Sequence, residues 1–143
     1  MKVKDILKRK GDAILSVAPD TVIFDALRLM SEKNVGALLV MENEKLVGIF
    51  SERDYARKII LEGRTSLDTQ VSEIMTPDVI TVSPEEFIEQ CMQLMSEKRI
   101  RHLPVLQSNS VIGVISIGDV VKSIIEEQEM VIEHFRLYVS DSR

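Results

Sequence analysis

The sequence predicts an α/β (α+β) fold built from two tandem copies of a β-α-β-β-α unit packed about a pseudo-two-fold axis. Three observations predict it. The chain aligns with itself in one long register, its short β-rich segments are nearly continuous apolar runs, and a segment of helical periodicity separates them in each half. Ile14–Asp20 falls on Val79–Glu85 at an offset of 65, and Leu29-Met30-Ser31-Glu32-Lys33 then falls on Leu94-Met95-Ser96-Glu97-Lys98 unchanged. The register holds without a gap from Ile14 to Ile60. Earlier, Val3–Ile6 matches Val71–Ile74 at an offset of 68, so the first copy carries three extra residues near Lys8-Arg9-Lys10-Gly11.

The elements follow in order. A short helix leads each copy. Ile14–Val17 and Val79–Val82 are β-rich runs that end at a proline and read as strands. Pro19 and Pro84 are expected to open helices. In the first, Val22, Ala26, Leu27 and Met30 recur at helical spacing; in the second, Phe87, Ile88, Cys91, Met92 and Met95 do. Ala37–Met41 and Leu46–Phe50 are strands around a short polar turn, and Leu103–Leu106 and Val111–Ile115 repeat them. Ser51-Glu52-Arg53-Asp54 and Ser116-Ile117-Gly118-Asp119 start a closing helix, with a serine cap and an acid at its positive end. Strands apolar on both faces need cover on both sides, and so small a unit buries too little alone. Packing the copies together answers both. The division is repeat 1 over 1–62, repeat 2 over 69–127 and a helical extension over 128–143, where Val131, Phe135 and Tyr138 lie near one face.

Composition narrows the function. At 143 residues the chain is one ordinary domain or two very small ones. Eighteen basic and 23 acidic residues leave a charge of −5, which argues against a general nucleic-acid binder. A single cysteine, Cys91, excludes an internal disulfide framework and fits a reducing cytoplasm. No apolar run reaches the ~18 residues of a membrane span. The charged N-terminus, Met1-Lys2-Val3-Lys4-Asp5, predicts no secretory signal. Nothing converges on catalysis: there is no nucleophile elbow, Walker lysine or glycine-rich phosphate turn, and two distant histidines with one cysteine make no metal site.

Two tandem β-α-β-β-α units, each carrying G-h-h-S-x-x-D at Gly48–Asp54 and Gly113–Asp119, resemble the cystathionine β-synthase (CBS) domain pair. The entry Ile74-Met75-Thr76-Pro77 and the strand Arg101-His102-Leu103-Pro104-Val105 add to the likeness, and Phe50–Lys58 is similar to stand-alone bacterial pairs with no fused enzyme. The resemblance covers all but the tail. It implies a cytoplasmic regulatory module without catalysis that senses an adenine nucleotide (AMP, ADP, ATP or NAD) in clefts between the repeats, commonly as a homodimer. The alternative is a structural dimerisation scaffold with no nucleotide.

Each candidate residue has a chemical reason. A carboxylate can accept from both hydroxyls of a ribose, which suits Asp54 and Asp119; Ser51 and Ser116 can bond a phosphate near a helix start. The same S-x-x-D is also an ordinary helix cap worth ~1 kcal/mol. Arg101 offers phosphate a planar fork and His102 a further donor, where the first copy has Gly36 and Ala37. Arg53 is the favoured cation beside the first motif, ahead of Arg57 and Lys58; Lys8-Arg9-Lys10 is a basic stretch that could reach a phosphate or simply be solvated. Ser16, Val17, Ile80, Thr81, Val82 and Pro104 are candidate walls for the base, positions that core packing alone would also explain. Cys91 reads as a buried apolar group.

Overall fold

The computed structural model describes residues 1–11 and 13–141. Its elements are α1 (Val3–Lys10), β1 (Ser16–Val17), α2 (Ile23–Lys33), β2 (Ala37–Glu42), β3 (Lys45–Ser51), α3 (Glu52–Asp54), α4 (Val71–Ile74), α5 (Ile88–Lys98), β4 (His102–Gln107), β5 (Ser110–Ser116) and α6 (Ile117–Asp141). After α3 the chain widens into a π-helical turn over Tyr55–Ile60. Mixed helices and strands are what the repeat predicts. The last two residues of the 128–143 extension lie outside the described residues.

The chain forms two compact units. One comprises Ala13–Ile80 with Ser108–Val111; the other comprises the described residues of Met1–Asp12, Thr81–Gln107 and Ile112–Arg143.

In the unit of the first repeat, β1 pairs parallel with β2, with Ser16 opposite Leu39 and Val17 opposite Val40. β2 pairs antiparallel with β3 from Ala37–Ser51 to Glu42–Lys45, with an irregularity at Val40/Met41. The hairpin turns on Asn43 and Glu44, both left-handed at φ 52° and 63°, as a two-residue turn between right-twisted strands requires. α2 lays Ile23, Ala26 and Met30 against this sheet, and Leu38, Val40, Phe50, Ile59, Val71 and Ile74 complete the core. Phe50 is wholly buried and contributes on the order of 3 kcal/mol. α2 ends at Asn34, left-handed at φ 54°, whose N–H returns to Met30 and Ser31.

The unit of the second repeat uses the same positions. Ile88, Cys91 and Met95 of α5 are buried where Ile23, Ala26 and Met30 are. Leu103, Pro104 and Val105 are buried in β4 as Leu38, Leu39 and Val40 are in β2. Burial raises the Cys91 thiol pKa to about 11, with Glu86 and Glu89 adding to the rise, so this thiol is inert packing. α5 packs on α6, which runs on unbroken for 25 residues.

The strand expected at Val79–Val82 is reduced to one parallel bridge, Val82 to Val105. Val82 donates to the Pro104 carbonyl (3.0 Å) and accepts from Leu106 (2.9 Å). In the first repeat the ladder also takes a bond from the Leu39 N–H to Leu15. Pro104 stands at Leu39's place and has no N–H to give, so the pairing cannot propagate. The prolines also sit earlier than expected. α2 and α5 begin at Ile23 and Ile88, after turns in which Thr21 donates to Ala18 and Glu86 to Ser83.

The leading helices change company. α1 starts on the turn before α5: Val3 donates to Glu86, Lys4 to Pro84, and Ile88 to Met1. α4 starts in the same way on the turn before α2, with Val71 donating to Thr21 and Ser72 to Pro19. Each short helix thus belongs to the unit of the other repeat.

Candidate functional site

The predicted motif residues fall into one cluster per unit. In the first, Ser51 ends β3 opposite Ala37, at the end of β2 where β1 also lies. The Ser51 N–H donates to Asp54 Oδ2 at 2.9 Å, the Ser51 hydroxyl donates to the same oxygen at 3.0 Å, and the Asp54 N–H returns to Ser51 Oγ at 3.3 Å. This is a reciprocal capping box, and it holds the carboxylate at the sheet end. Its other oxygen, Oδ1, takes the Thr76 hydroxyl at 3.4 Å and faces Lys58 Nζ at 3.5 Å. Lys58 is anchored besides on the Ile74 carbonyl at 3.0 Å. Arg53, the cation favoured from sequence, is exposed on the first turn. Ser16 is exposed and Val17 half-buried on β1.

In the other unit, Ser116 ends β5. Its N–H donates to Asp119 Oδ2 at 2.8 Å, and the Asp119 N–H returns to Ser116 Oγ at 3.2 Å. Ile117 donates to the Arg101 carbonyl, as Glu52 does to Gly36, so Arg101 and His102 stand where β4 meets the start of α6. Val82 and Pro104 are buried beside them; Thr81, like Ile80 in the first unit, is half-buried. Lys10 Nζ lies 2.7 Å from Asp119 Oδ2, and Arg9 is paired with Glu126. Burial alone would raise the Asp119 pKa, but hydrogen bonds from Lys10 and from the Ser116 N–H outweigh it and hold the carboxyl below its ordinary range.

The glycines of both motifs lie beneath a leading helix. A Cβ on Gly48 would stand 2.4 Å from Met75 Sδ and 3.1 Å from the Thr76 carbonyl; on Gly113 it would meet Leu7 Cδ2 at 2.6 Å. Thr76 was not among the predicted site residues. Its contact with Asp54 spans 22 positions and has no local signal in the sequence. Surface cavities of about 450 and 530 Å³ run along α2, lined by Leu27, Ser31 and neighbours; neither takes in Ser51, Asp54 or any other predicted nucleotide residue. Among the described residues no His, Cys, Asp and Glu groups cluster in a way that could hold a metal ion. Nor is any helix there long and apolar enough to cross a membrane.

The sequence model of the CBS domain matches residues 3–61 and 71–126. The chain belongs to the CBS-domain family. CBS-domain pairs are regulatory modules. This pair is 41% identical over 146 residues to the mitochondrial CBS domain-containing protein CBSX3 of Arabidopsis thaliana, covering 96% of this chain and 71% of that one. A CBS-domain protein of Burkholderia ambifaria MC40-6 superposes with a TM-score of 0.86 at 48% identity, over 90% of this chain and 96% of the other. The CBS domain pair of protein MJ0100, in complex with 5-methylthioadenosine and S-adenosyl-L-methionine, superposes with a TM-score of 0.77 at 25% identity, over 87% and 99% of the two chains.

Proposed function

We propose that this CBS-domain pair is a regulatory module that senses an adenine nucleotide (AMP, ADP, ATP or NAD) at its two S-x-x-D motifs, without catalysing a reaction. The observation that carries this reading is the repeated carboxylate. Asp54 and Asp119 are each fixed at a sheet end by the same capping box, half-buried, with an oxygen beside a cation. A carboxylate so held suits the paired hydroxyls of a ribose, and the adenosine compounds carried by the MJ0100 pair support the same ligand class. Ser51, Arg53, Arg101, His102 and Ser116 are assigned to ribose and phosphate, and Ser16, Val17, Ile80, Thr81, Val82 and Pro104 to the base.

The module acts as a homodimer whose packing the ligand biases through its different affinity for two states. Val131, Phe135 and Tyr138, about two-thirds exposed on α6, support self-association. They also favour the second reading, a dimerisation scaffold with no nucleotide. The single buried cysteine and the acidic charge balance fit a reducing, cytoplasmic setting. Thermal denaturation with AMP, ADP, ATP, NAD and S-adenosylmethionine separates the readings. Sensing predicts stabilisation by about 2.7 kcal/mol at a hundredfold excess over Kd for at least one of them. No shift with any of the five at millimolar concentration would leave the scaffold.

A further inference from the structure

We propose that Lys10 makes the Asp119 site selective for phosphorylated nucleosides over unphosphorylated ones. The inference rests on the nucleotide reading above and adds a rule of selection that the first motif imposes less strongly. The Lys10 ammonium lies 2.7 Å from Asp119 Oδ2, the same oxygen that takes the Ser116 N–H. Lys10 is the last residue of α1, where the three-residue insertion lengthens the first leading helix to eight residues against four in α4. Gly11, at φ 90° and ψ 172°, ends the helix immediately after it. The cation therefore reaches the motif from a separate element. At the first motif the comparable cation is Lys58, which sits one turn after Asp54 at 3.5 Å and is tied to the Ile74 carbonyl.

The two arrangements answer a ligand differently. A ribose diol that takes both oxygens of Asp119, one hydroxyl on each, must displace the ammonium in direct contact with Oδ2. An unphosphorylated nucleoside offers that ammonium no anion, so the exchange gives up an ion pair for neutral hydrogen bonds. A nucleoside phosphate brings its own anion, and the flexible four-carbon stem of Lys10 lets the ammonium move from carboxylate to phosphate. One ion pair then replaces another. At Asp54 the cation is the longer, carbonyl-anchored contact of Lys58 at 3.5 Å, so a diol there gives up a weaker pair and Lys58 is less free to follow a phosphate.

The test compares AMP and adenosine by titration calorimetry in an Asp54→Asn background, which isolates the second motif, with and without Lys10→Met. The parent should prefer AMP, and Lys10→Met should shrink that preference by about tenfold, through weaker AMP and tighter adenosine binding. Lys10→Arg should restore most of it, which a merely structural role would not do. An AMP-to-adenosine ratio unchanged by Lys10→Met, with both ligands still binding, overturns the role of Lys10 and leaves nucleotide sensing intact. Failure of the unmutated protein to bind either ligand overturns both.

Discussion

Gly48 lies so close beneath Met75 that a Cβ there would stand 2.4 Å from the thioether sulfur. The Thr76 carbonyl is only 3.1 Å from the same point, and backbone cannot turn aside as a side-chain end can. Gly48→Ala should therefore destabilise the protein by about 1–3 kcal/mol and carry the Thr76 hydroxyl away from Asp54. Gly113→Ala, which meets only the flexible end of Leu7, should cost less. Urea unfolding of the two variants measures the difference; equal losses would contradict the geometry.

Asp54→Asn and Asp119→Asn separate a ligand carboxylate from a helix cap. Asparagine caps as well as aspartate, so the ligand-free stability should change by no more than about 1 kcal/mol, with the larger loss at Asp119, whose partly exposed pair with Lys10 is broken. Nucleotide affinity at the altered motif should fall by about tenfold or more. Unaltered binding in both folded variants would return the motifs to capping alone.

Acid should weaken the contact between α1 and α6. Asp119 has a folded pKa below the ordinary aspartate value of 3.8, so the folded protein holds the ionised form more readily than the unfolded chain does. Its contribution is complete above 3.8 and is lost as pH falls through the lower folded value. Lys10→Met removes the principal lowering partner. The stability difference between the variant and the unmutated protein should then be largest near neutral pH and shrink below 3.8. A difference independent of pH would show that the loss is of packing alone.

The hairpin between β2 and β3 holds a glutamate in a left-handed conformation, Glu44 at φ 63°. Asn-Gly is the favoured pair for such a turn. Glu44→Gly should stabilise by about 0.5–1 kcal/mol and raise Tm by a few degrees. A lower Tm would mean that the Glu44 side chain contributes more than its backbone strain costs.

Self-association through α6 predicts that Val131→Lys with Phe135→Lys dissociates the dimer. Sedimentation of the unmutated chain should give twice 16.2 kDa at micromolar concentration, and the double variant should sediment as a monomer. Identical sedimentation of the two would remove α6 from the interface.

Much of the fold is legible in the sequence because its signals are local and repeated. Ala37–Met41 and Leu103–Leu106 extend by one or two residues into β2 and β4, and the S-x-x-D serines cap where expected. The strand at Val79–Val82 fails for a non-local reason: its partner carries Pro104, which cannot donate. The helix starts shift because Pro19 and Pro84 precede turns as readily as helices. Thr76 is invisible to pattern reading, since it shares no periodicity with the aspartate it meets; Lys10 is legible as part of a basic stretch, but its pairing with Asp119 is not. The turn between β2 and β3 is legible in place but not in length or conformation: Glu42 and Lys45 join the strands, and glutamate gives no signal for the left-handed turn at Asn43-Glu44.

The crossed allegiance of α1 and α4 changes what counts as a heritable part. Neither repeat is a module that could be cloned, shuffled or lost by itself, since each would leave with the other's opening helix and without the one its own unit uses. Cut in its polar connector, the chain would become two fragments that each withhold a piece the other requires. It is in effect a complementation pair already joined by a tether.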